Sequence, residues 1–157
     1  MPKFNPQDPQ FEARVRASFA RQTLMQTIGA QMTRVAAGEV EIELAYRDDL
    51  AQQHGYLHAG AITAIVDSAC GYAAMTLTRA VEDILTIEYK ANFVAPATGE
   101  KMIARSRVLR AGRKVTVCAG DVFALRDGEE KLIATMLATM MTLSGQRANK
   151  FGHELRE

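Results

Sequence analysis

The sequence has almost no net charge: 19 Lys and Arg stand against 18 Asp and Glu, leaving +1 over 157 residues. No global field therefore draws the chain to nucleic acid or to an anionic membrane. Cysteine is scarce. Cys70 and Cys118 lie in apolar segments without C-x-x-C or Cys/His spacing, and they read as reduced core residues of a cytoplasmic protein. There is no G-x-x-x-x-G-K, no G-x-G-x-x-G and no cluster of metal-ligand residues, so neither nucleotide hydrolysis, a redox cofactor nor a metal is implied. The opening MPKFNPQDPQ lacks the apolar run of a secretory signal. Internal repeats, linkers and low-complexity segments are missing as well.

What is present is an ordinary globular balance, 48% hydrophobic and 24% charged residues. The length suits a single domain spanning 1–157, with 1–7 and 145–157 expected to be flexible. The most informative segment is Gly55 to Thr78, GYLHAGAITAIVDSACGYAAMTLT, which carries one formal charge, Asp67. A transmembrane reading would put that carboxylate mid-bilayer at about 2.5–3.5 kcal/mol on an insertion scale, and the small residues around it offset little. A buried carboxylate needs a reason. Nine residues upstream sits His58, then Ala59-Gly60-Ala61, a helix entry whose small residues let a ligand approach the backbone.

The coarse organisation is legible. Asp8-Pro9 starts a helix; Phe11, Val15 and Phe19 give it one apolar stripe, and it should end near Gln22. Residues 26–36 are weakly strand-like. Glu39 to Tyr46 alternates acidic and apolar side chains, the mark of a half-buried strand, and 47–53 reads as a loop. Residues 59–79 are apolar nearly all round, as in a buried helix. Strand-like runs follow at 83–94, 101–111, 114–125 and 131–143, with hairpin turns at Ala111-Gly112-Arg113 and Asp127-Gly128. Tight turns imply an antiparallel sheet, and one helix on its face makes an α+β layer. A helix apolar all round is not covered by one small sheet, so a second subunit is expected against its other side.

The order of these elements, together with Gly55-Tyr56-Leu57-His58-Ala59-Gly60 and Asp67, resembles the hotdog-fold acyl-CoA thioesterases, phenylacetate-degradation type. That family's pattern is G-x-x-H-G-G-(x)6-D. The similarity covers about residues 20–143. Tyr89 to Ala97 resembles the family's strand ending in proline, and Arg110 to Lys114 resembles its turn. The departure is Ala59, where the family commonly has glycine; alanine keeps the N–H but narrows access and disfavours positive φ.

The resemblance implies hydrolysis of acyl-CoA thioesters to free acid and CoA. Asp67 would act as general base or nucleophile. The N-terminus of the central helix, at Ala59 and Gly60, would supply oxyanion donors and the positive dipole end. Gly60 and Asp67 are seven residues apart, about 10 Å along one helix. That is too far for one thioester, and the family resolves it with a site shared across a dimer interface. The expected assembly is a homo-oligomer, a dimer or a dimer of dimers (homotetramer).

Other positions carry over with alternatives open. Gln52 falls where the family has a carbonyl-holding amide, or is a loop residue in solvent. His58 orients the thioester or the loop, or simply caps the helix. Thr86 matches a Ser or Thr that orients the catalytic water, or is a strand threonine. Asp67 itself could be a buried carboxylate satisfied locally. Tyr72 and Met75 would help set pocket length. Among the basic residues of the hairpin, Arg110, Arg113 and Lys114 suit CoA phosphates, while Arg107 reads as a solvated edge. A non-catalytic acyl-CoA binding domain and a hotdog hydratase or dehydratase are the competing classes. The second fits poorly, because His54, His58 and His153 do not pair with a carboxylate in the pattern it needs.

Overall fold

The computed structural model describes residues 4–144. Its elements are α1 (Phe11–Phe19), α2 (Thr23–Ile28), β1 (Gln31–Ala36), β2 (Glu39–Ala45), a 3-10 turn (Asp48–Leu50), α3 (Ala59–Met75), β3 (Asp83–Phe93), β4 (Lys101–Ala111), β5 (Val115–Arg126) and β6 (Glu129–Leu143). The strands form one antiparallel sheet in the order β1-β2-β4-β5-β6-β3. The α3 helix lies across its inner face, as the sequence leads one to expect. No helix among the described residues is long and apolar enough to cross a membrane.

Strand alternation builds the core. Val40, Ile42 and Leu44 of β2, Met102 and Ala104 of β4, Cys118 and Val122 of β5, and Met136, Ala138 and Met140 of β6 point at α3 and are buried. The helix answers with Ile62, Ile65, Val66, Ala69, Cys70 and Ala73. Gly120 lets the two layers close. A Cβ there would lie 2.5 Å from a Val66 methyl and 3.0 Å from the Cys70 sulfur, an overpacking that typically costs about 1–3 kcal/mol. Both thiols are free and buried. Burial pushes Cys118 up to about 12 and raises Cys70 well above the ordinary thiol value, so neither offers a nucleophile at neutral pH.

The N-terminal third differs from the sequence reading. The first helix ends at Phe19 rather than near Gln22, and Thr23–Ile28 form α2, which takes in residues 26–28 of the stretch expected to be weakly strand-like. Met25 and Ile28 are buried three residues apart, which is helical spacing, and Gly29 stops the turn at φ 78°. Only Gln31–Ala36 is strand. The regular helix begins at Phe11 rather than at Pro9. The Asp8 carboxylate takes the Gln10 N–H at 2.9 Å in a turn just before it. Residues 4–7, expected to be flexible, are docked: Phe4 packs against the core, and the Gln7 amide donates to the Leu77 carbonyl at 3.0 Å. The tail from 145 lies outside the described residues.

The central helix stops at Met75, short of the expected Arg79, because Arg14 takes over its end. That guanidinium donates to the Met75, Thr78 and Glu82 carbonyls at 3.1, 3.0 and 3.4 Å, and to the Asp8 carboxylate at 2.8 Å. A cation at a helix C-terminus also meets the negative end of the dipole. Lysine would keep the charge without the fork. Thermal melting midpoints should therefore fall in the order wild type, Arg14→Lys, Arg14→Ala; indistinguishable midpoints would mean the clamp contributes nothing.

Candidate active site

The entry to α3 is held by its own histidine. His58 sits at the N-cap with extended backbone, and its Nδ1 accepts the Gly60 N–H at 2.8 Å. A Cβ on Gly60 would come 3.0 Å from that nitrogen, so the small residue is what allows the imidazole to fold back. The capping role foreseen for His58 is therefore present. It occupies the Gly60 N–H, while Ala61 and Ile62 donate to the His58 carbonyl at 3.0 and 3.3 Å. The Ala59 N–H has no acceptor among the described residues. The first free donor at the positive end of the helix is thus the position where the sequence departs from glycine.

The loop leading to this point is braced. His58 N–H donates to the Leu50 carbonyl, and Leu57 N–H to Ala97. Tyr46 donates its hydroxyl to the Gly55 carbonyl at 3.0 Å. Gln52 is half-buried in this loop. Its side-chain oxygen accepts the His54 N–H, and its amide NH2 has no acceptor among the described residues. Gln52, His58, Ala59 and Gly60 therefore gather at one end of α3.

Asp67 is two turns further along. It belongs to the incompletely covered stripe of α3, made of Thr63, Ala64, Asp67, Ser68 and Gly71. The helix is thus not apolar all round; its uncovered side is small and polar. Thr86 of β3 donates its hydroxyl to Asp67 Oδ1 at 2.9 Å. The ladder to β6 slips between Thr86 and Glu88, and such a bulge re-aims side chains. Burial raises the Asp67 carboxyl above its ordinary value, and the Thr86 hydrogen bond lowers it in part. Asp67 and Thr86 share a cleft with Ser18, Gln22, Ser68, Tyr72 and Met75. Ser68 donates to the Gln22 side-chain oxygen at 3.1 Å. Ser18, Gln22 and Ser68 escaped the sequence reading, since periodicity marks which residues pack and these are polar positions on α1, at the start of α2 and on the uncovered side of α3.

The basic residues divide. Arg105 is paired with Glu41 and Glu130 at 2.7 and 2.6 Å, and Arg107 with Asp121 at 3.1 Å. These belong to the outer sheet face; β4 lies between β2 and β5, so Arg107 is an ion-paired residue of an interior strand rather than the solvated edge expected. Arg110, Arg113 and Lys114 are exposed around the β4–β5 turn, and no ion pair among the described residues involves them.

Residues 54–131 match the family model described as "Thioesterase superfamily". A crystal structure of a thioesterase family protein from Silicibacter pomeroyi is 47% identical, with a TM-score of 0.85, covering 86% of this chain and 99% of that one. The chain belongs to the thioesterase superfamily, and its fold is the hotdog arrangement. The medium/long-chain acyl-CoA thioesterase YigI of Escherichia coli K12 is 36% identical over 98 residues, 54% of this chain and 61% of that protein. The Escherichia coli PaaI protein of the phenylacetic acid degradation operon shares the fold at 14% identity, with a TM-score of 0.78 over 87% of this chain and 95% of that one.

The direction of the Asp67 shift fixes a stability prediction. A carboxyl whose folded pKa is raised contributes stability fully present below its unfolded value, near 3.8, and lost as pH rises through the folded value. At neutral pH the folded state therefore bears the cost of the charge. Asp67→Asn should raise the melting midpoint at neutral pH, and the gain should vanish in acid below pH 3.8. A variant less stable than wild type at neutral pH would contradict this.

Proposed function

We propose that the protein hydrolyses acyl-CoA thioesters to free acid and CoA at a site shared by two subunits. The observation that carries this reading is the Asp67–Thr86 pair: a lone carboxylate raised by burial, oriented by a strand hydroxyl, and open to a cleft. Thr86 occupies Oδ1, which leaves Oδ2 to act. As general base, Asp67 takes a proton from water while the hydroxide adds to the thioester carbonyl. As nucleophile, it adds to that carbonyl itself and water later cleaves the anhydride. In either case the Ala59 N–H and the Gln52 amide of the facing subunit hold the oxyanion. The tetrahedral species collapses by breaking the C–S bond, and the CoA thiolate takes up a proton. A positioned base is typically worth about 10²–10⁴ in rate, and one oxyanion donor about 10²–10³.

The oligomer reading rests on β3. It is a sheet edge eleven residues long, paired only with β6 among the described residues. It leaves Ile87 52% and Phe93 48% exposed. Long apolar edges are a liability in a monomer, and a second copy adding its own β3 would cover this one. Dimers of that kind could then meet through Leu85, Val115, Leu137 and Met141, exposed together on the outer sheet face. Arg110, Arg113 and Lys114 suit the CoA phosphates. The buried free thiols suit a reducing compartment, and we place the protein in the cytoplasm.

The assay is thiol release from a panel of acyl-CoAs. Turnover in wild type should disappear in Asp67→Asn. Binding without turnover would favour an acyl-CoA binding domain, and water addition to an enoyl-CoA would favour a hydratase. Thr86→Ala removes the hydrogen bond that lowers the Asp67 pKa, so the acid limb of kcat/KM should move to higher pH; an unmoved limb would separate Thr86 from the chemistry. Placing lysine at both Ile87 and Phe93 should convert the oligomer to inactive monomers on size-exclusion chromatography with light scattering. An oligomer of unchanged mass would exclude β3 as the seam.

A further inference from the structure

The cleft that begins at Asp67 ends in a polar wall. Tyr72 lies five residues beyond Asp67, about 7.5 Å of helix rise. Phe19 holds its ring edge-on, with centroids 5.8 Å apart and planes at 73°. The phenol is 7% exposed, and burial holds it protonated, a donor at neutral pH. Its nearest polar neighbour is the Ser18 hydroxyl at 3.5 Å. That is beyond the usual O–H···O range of about 2.5–3.0 Å, so each hydroxyl keeps capacity for a third group that reaches both from the cleft. Gln22 accepts from Ser68 through its oxygen, which leaves its NH2 without an acceptor among the described residues. Met75 and Ile84 supply the apolar side of the same cleft.

The geometry points to this wall as a selector for acyl groups bearing a hydroxyl at their far end, over methyl-terminated chains of equal length. The inference rests on the cleft beside Asp67 being the acyl site. A hydroxyl beside the pair, at the apex of a triangle with Ser18 and Tyr72, can accept from one and donate to the other. A methyl in the same place strips water from both and returns nothing. Sites built to hydrogen-bond a substrate hydroxyl discriminate strongly against the analogue lacking it, because their own polar groups are left unpaired. The first elbow of the chain, α1 into α2, thus takes part in choosing the substrate, although it lies outside residues 54–131 that match the family model.

The test compares ω-hydroxyhexanoyl-CoA with heptanoyl-CoA, which have the same shape and differ only in the terminal group. Wild type should favour the hydroxyl substrate in kcat/KM by about tenfold or more. Tyr72→Phe and Ser18→Ala should each bring the ratio toward one, mainly through KM for the hydroxyl substrate. A wild-type ratio of one or below, or a ratio that neither variant moves, overturns the inference. Calorimetric binding of the corresponding thioethers, ω-hydroxyhexyl-CoA and heptyl-CoA, reads the same preference without turnover. Preferred binding of the first with no hydrolysis of either thioester would sink the hydrolase reading and leave this one standing. Equal affinities would overturn this one even in an active enzyme.

Discussion

The hydrogen bond from Thr86 to Asp67 ties the one formal charge of the central helix to the open edge of the sheet. Everything distinctive about the molecule follows from keeping a carboxylate there. Its burial raises its pKa, and an isolated charge in that setting is tolerated only with a partner. Thr86 offsets part of the cost and leaves one oxygen free. Thr86 can reach because β3 bulges next to it, and α3 can lie close because Gly120 has no side chain. The fold thus spends packing precision on presenting a single acid.

On the proposed reading, the same helix separates the two kinds of chemistry a thioester needs. Its N-terminus gathers Gln52, His58 and Ala59, and His58 spends its ring nitrogen on Gly60, leaving the Ala59 N–H open. The acid is two turns away. In the proposed reaction neither half suffices alone, and the exposed edge of β3 is where we propose that a second copy adds. The Arg14 clamp fixes the far end of α3, so the spacing between donor and acid is set by a helix held at both ends.

Much of this was legible in the sequence. The alternation of Glu39 to Ala45, the Asp127-Gly128 turn and the largely apolar character of 59–75 each state their element through local physics. The lone charge at Asp67 marked the position on which the proposed site rests. The failures are equally physical. Residues 26–28 read as weakly strand-like because Gln, Thr and Ile give no decisive local preference, and tertiary burial of Met25 and Ile28 decided for helix. Arg14 gave no signal because the carbonyls it clamps lie 61 to 68 residues away. The polar cleft wall was invisible for the same reason: Ser18 and Gln22 acquire meaning only when α1 lies against Ser68 and Tyr72.

The most direct test of the shared site is complementation between two impaired chains. Asp67→Asn and Gln52→Ala should each be strongly impaired when expressed alone. Co-expressed, they should form mixed oligomers in which one site receives both an intact acid and an intact amide, and acyl-CoA hydrolysis should return. If the mixed oligomers form and remain as inactive as their parents, acid and amide act within one chain, and the two-subunit account is contradicted.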